Sequence, residues 1–201
     1  MASISGGNIV SYDYLLRNCY SSNRLARKSS GRTSLSATEL LSADSNALHK
    51  LTENLQDISY DKENGKNIYN NAKALIETYN NTVGSADKLS DTALEREMKK
   101  VKQFVKDHQD ELKAIGIKVT SSGKMEIDKE KMLATGSDKM KSILSGDGEI
   151  SKTLNKYAKK LNSISARLIR EEAAKKKSVD ELDILPVGNN STNPNSFDYR
   201  V

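Results

Sequence analysis

Seven residues set the strongest limit on how this chain can fold. Leu94, Met98, Val101, Val105, His108, Leu112 and Ile115 follow one another in steps of four and three. Such spacing keeps side chains on one face of an α-helix and makes a narrow, heptad-like seam. A second seam, Ile150, Leu154, Tyr157, Leu161, Ile164 and Leu168, repeats the pattern near the other end. The two can lie against each other. The only prolines are Pro186 and Pro194, so nothing of that kind interrupts a helix over the first 185 residues.

Two further helices precede the first seam. Ser36 and Glu39 have the spacing of a capping box, and Leu41, Leu48, Leu51, Leu55 and Ile58 share one face behind it. Ile68, Ala72, Leu75, Tyr79 and Val83 form the stripe of the next helix, with Gly84 as its expected C-terminal cap. Thr92 and Glu95 offer another capping box for the seam helix, which should run unbroken to a stop at Gly116.

Immediately afterwards the period changes. In "GIKVTSSGKMEID", Ile117, Val119, Met125 and Ile127 alternate with polar residues, and Gly123 can supply the positive φ of a tight turn. This predicts a β-hairpin over 117–127 that must lean on a helix, because a lone two-stranded ribbon is marginal in water. Asp128 reads as the N-cap of a short helix. "SDKMKSILS" reads as another, and the last long helix starts near Gly148.

The predicted fold class is therefore mainly α: an elongated antiparallel helical bundle or coiled coil with a small inserted hairpin and short-helix head. Residues 36–177 form that domain. Residues 1–35 carry Arg17, Arg24, Arg27, Lys28 and Arg32 against the single acid Asp13, and are expected to be a flexible basic arm. Residues 178–201, rich in Asn and Ser, are expected to be a disordered tail.

Catalytic machinery is not expected. "GSDKMKS" lacks the spacing of a phosphate-binding loop. His49 and His108 have no neighbouring cluster of donors in the sequence, so neither a metal nor another cofactor is expected. The lone Cys19 cannot form an internal disulfide. There is no apolar run long enough for a membrane span, and the N-terminal stretch lacks the basic start and apolar block of a secretory signal. A net charge of +5 favours nucleic acid only weakly, since no recognition motif accompanies it.

One set of elements points further. Tyr79–Asn80, Gly116–Ile117, Gly123, Met125, Ile127–Asp128, "SILSGDG" and the returning helix from Ile150 occur in an order and spacing that resembles the C-terminal helical region of the flagellar filament-capping protein family, hook-associated protein 2. The resemblance covers about residues 72–166. It implies a non-catalytic bacterial structural protein, cap-like or filament-associated. Such a protein is expected to bind helical partners such as flagellar subunits and to form a homo-oligomer. It would lie on the extracellular flagellum after signal-less export, or in the cytoplasm. The other readings are an intracellular helical binding module unrelated to flagella and a nucleic-acid binder acting through the basic arm. Leu75, Ile76, Tyr79, Ile164, Leu168 and Ile169 lie beside the seams and are the expected partner-binding residues, as an exposed apolar strip.

Overall fold

The computed structural model describes Arg32, residues 35–146 and residues 148–182, the last six by backbone alone. Contacts divide the chain into two units, Met1–Ile169 and Arg170–Val201. The described part of the first unit is mainly helical, with one two-stranded antiparallel sheet.

Helix α1, Ala37–Asp57, begins at the predicted capping box: Ser36 Oγ accepts from the Glu39 N–H, and the Glu39 carboxylate accepts from the Ser36 N–H. It ends where Ile58 turns extended. A short 3₁₀ turn, Lys62–Asn64, then leads into α2, Gly65–Ala86. In between, Tyr60 is buried and its hydroxyl donates to the Leu55 carbonyl. Gly84 does not cap α2. It lies inside the helix, which continues to Ala86 with Asp87 as its C-cap. Small residues such as Ala43, Ala47, Ala72 and Ala86 are buried where α1 and α2 pack closely.

The first seam is not one helix. It divides into α3, Thr92–Asp107, and α4, Gln109–Ala114. His108 sits at the break with φ −97° and ψ 15°, outside the helical region. The cap of α3 also differs from expectation. Asp91, not Thr92, is the N-cap, and its carboxylate accepts from the Leu94 N–H at 2.9 Å.

After α4 the chain reverses at Gly116, whose φ is +85°. A Cβ there would lie 2.9 Å from the Met132 nitrogen, so the turn leaves no space for a side chain. Strands β1, Ile117–Val119, and β2, Met125–Ile127, pair with Ile117 opposite Ile127 and Val119 opposite Met125. Those four side chains share the inward face, as the alternation predicts. Gly123 closes the turn at φ +77°. Helices α5, Lys129–Ala134, and α6, Ser137–Leu144, follow, with Asp128 capping α5 as expected.

Helix α7 runs from Glu149 to Leu182, five residues past the expected end of the helical domain. Its part up to Ile169 runs antiparallel to α3. Arg167 meets Asp91 at 2.8 Å, Lys160 meets Glu97 at 3.1 Å, and Glu149 comes within 3.9 Å of His108. Val101, Val105, Leu112, Leu154 and Leu161 are all buried in the single core cluster, and Leu168 packs at its edge. Each such residue contributes about 1.5–3 kcal/mol when fully removed from water.

Among the residues expected to form a basic arm, Arg32 is described. Its guanidinium makes a bidentate contact with the buried Asp44 carboxylate, at 2.7 and 2.8 Å, and Ser85 Oγ donates to the same carboxylate. Arg32 is thereby tied to the α1–α2 pair. The rest of the expected arm, apart from Leu35, lies outside the described residues, as do residues 183–201 of the expected tail.

Candidate functional site

The feature that joins the separate parts of the sequence is the attachment of the ribbon to α2. Side chains at the α2 positions 72, 75 and 79 share a stripe that enters the core, and Asn80 follows at the stripe's margin. The Tyr79 hydroxyl donates to the Gly123 carbonyl at 2.8 Å. The Asn80 amide makes two bonds to one residue: its Nδ2 donates to the Met125 carbonyl at 2.7 Å, and its Oδ1 accepts from the Met125 N–H at 2.9 Å. A primary amide has one donor side and one acceptor side, so it reproduces what a neighbouring strand would offer β2. Burial raises the Tyr79 pKa above the ordinary tyrosine range, with the Asp87 charge adding to it. The phenol therefore stays a donor through neutral pH.

Electrostatic links brace the α3–α7 side. Arg167 holds the Asp91 carboxyl below its usual range, and the Leu94 N–H adds to the effect. Burial pushes the Glu97 carboxyl up, but Lys160 and Lys100 outweigh it and leave the group below the usual range. His108 Nδ1–H donates to the Phe104 carbonyl at 2.9 Å, and the two rings pack with centroids 4.3 Å apart. Phe104 also meets Tyr157 of α7, at 6.0 Å between centroids. His108 is thus a packed, half-buried break residue. His49 lies 3.5 Å from Glu53 on the same helix. Among the described residues no group of three or more His, Cys, Asp or Glu side chains could hold a metal. No described helix is long and apolar enough to cross a membrane.

The expected partner strip needs correction on α2. Leu75, Ile76 and Tyr79 are only 2, 3 and 1% exposed. The reason is position. α2 touches α1, α3, β2 and α5, so it is apolar on several sides to serve neighbours within the chain. On α7, Ile164 and Leu168 are half-buried against the core, and Ile169 is half-buried at the end of the first unit. The structure thus does not bring the six residues together as one exposed strip. Among the described residues the one large hydrophobic side chain left exposed is Leu133, on α5, at 46%.

Asn80, Asp91 and the Arg32–Asp44 pair were not foreseen as structural contacts. Asp91 had a local signal, an Asp three residues before Leu94 at a helix start. Asn80 is marked only by the resemblance and Asp44 by nothing, because their partners lie 45 and 12 residues away.

The geometry thus defines a helical body carrying a ribbon held by side chains. No known family, curated protein or solved structure matches the chain.

Proposed function

We propose that this chain is a non-catalytic structural protein of the flagellar cap or filament-associated kind, which works by binding helical segments of other protein subunits. One observation carries the reading. The elements of the resemblance, scattered from Tyr79 to Asp128 in the sequence, touch one another in space: Tyr79 and Asn80 hold Gly123 and Met125, while Gly116 packs under Met132 and accepts from the Asp128 N–H. A motif whose members form one contact set is easier to understand as a shared folding unit than as a coincidence of weak matches. With Leu75, Ile76 and Tyr79 inside the core, the partner surface in this proposal is the half-buried group Ile164, Leu168 and Ile169.

The test uses the immobilised chain and two purified analytes, flagellar filament subunits and a short duplex DNA, at low and high salt. Apolar contact predicts that the filament subunits are retained at both salt concentrations and that Leu168→Asp with Ile169→Asp weakens retention. DNA retention lost at high salt, with no filament subunit held at either, contradicts the proposal and points to a phosphate-binding protein.

A further inference from the structure

The ribbon has two outer edges, and the fold treats them differently. In an antiparallel pair, alternate residues turn their N–H and C=O toward the partner strand, and the residues between turn theirs away. The Thr120 N–H donates to the Lys124 carbonyl and the Asp128 N–H to the Gly116 carbonyl. Positions 116, 118 and 120 therefore face β2, and Ile117 and Val119 point their backbone groups outward. By the register, Met125 does the same on the opposite side. There the Met125 position is closed, since Asn80 takes both of its backbone groups. On β1 no such closure exists: among the described residues, no hydrogen bond meets the outward groups of Ile117 or Val119. Ile117 is buried, so the reachable part of this edge is the half-buried Val119.

A cleft of about 450 Å³ lies at this strand, lined by Gln109, Asp110 and Lys113 from α4, by Lys118 and Val119, and by Lys131 at the start of α5. Lys113, Lys118 and Lys131 are exposed and make no ion pair among the described residues. Asp110 and Asp128 also line the cleft; the Asp128 carboxylate accepts from the Lys131 N–H and keeps its charge, so three lysines stand against two acids. Lysines beside a strand edge keep two identical edges apart, because pairing would bring like charges together. The same lysines favour a strand that brings carboxylates.

We propose that the open edge of β1 binds an extended, acidic segment of a partner protein by strand addition. The Val119 N–H and C=O supply main-chain bonds, and the three lysines supply the charge selection. The contact is short, and so is weak and sensitive to salt. It is independent of the flagellar reading, which concerns an apolar helical surface.

The experiment follows backbone amides of the ¹⁵N-labelled full chain during titration with a capped heptapeptide alternating Thr and Glu. A capped peptide alternating Thr and Lys is the control. The Glu peptide should shift the Val119 amide and slow its hydrogen exchange. Combined Lys113→Gln, Lys118→Gln and Lys131→Gln should weaken binding about tenfold, as expected when steering charges are removed, while amides of α1 and α2 keep their positions. An unmoved Val119 amide, or equal binding of the Lys peptide, overturns the proposal. A Val119 shift that grows with protein concentration in the absence of peptide overturns it too, because a second copy would then be the occupant.

Discussion

Asn80 shows how much a single polar side chain can decide. Its amide satisfies the N–H and the carbonyl of Met125, whose side chain is buried. Replacing it with Ala removes two hydrogen bonds and leaves two sheltered backbone groups unmatched, so Asn80→Ala should lower stability by about 2 kcal/mol. Asn80→Asp should cost a similar amount despite its near-identical shape, because a carboxylate cannot donate to the Met125 carbonyl. Denaturant titration of both variants checks this. An Asp variant as stable as the parent would mean that the donor half of the contact contributes nothing. Nothing in the sequence around Asn80 announces this role. A side chain that serves a residue 45 positions away leaves no local periodicity to read.

Helices and their caps were legible to the extent that their determinants are local. Ser36 and Glu39 act within one turn of each other, and the structure has their capping box as the spacing predicts. The hairpin and its inward face were legible for the same reason: alternation and Gly123 lie within eleven residues. The break at His108 was not. The seam's steps of three and four continue through it, since Val105 before the interruption and Leu112 after it both enter the core. Side-chain spacing records which face is buried and is blind to a backbone that relaxes between turns. Asp91 was missed because Thr92 and Glu95 imitate a capping box one residue later. Asp91 also ties α3 to α7 through Arg167, and this yields a pH prediction. Its folded-state pKa is lowered, so its contribution is full above the ordinary aspartate value of about 3.9 and is lost as pH falls through the depressed value. Asn is also a good N-cap. Asp91→Asn should therefore cost about 0.5 kcal/mol at neutral pH, given the partial exposure of the pair, and almost nothing near the acid end. An equal loss at both ends, measured by urea titration across pH, would assign the effect to the cap and not to the charge.

At the scale of the first unit, the mainly helical class followed from periodicity, whereas the candidate site did not. By periodicity alone the apolar residues beside the α2 stripe are spare surface, because a two-helix hairpin does not need them. α2 instead packs against α1, α3, α5 and β2, and knowing its neighbours requires the tertiary fold. The central structural claim is that the ribbon belongs to the same cooperative body as α2, held there by Tyr79 and Asn80. Native-state amide exchange tests this directly, because it reads the opening energy of each hydrogen bond. In the parent chain the Met125 amide should exchange as slowly as the core amides of Leu75 and Tyr79. In Asn80→Ala it should lose most of that protection while Leu75 keeps its own. A Met125 amide that already exchanges in the parent as fast as the exposed turn at Ser121 would contradict the claim.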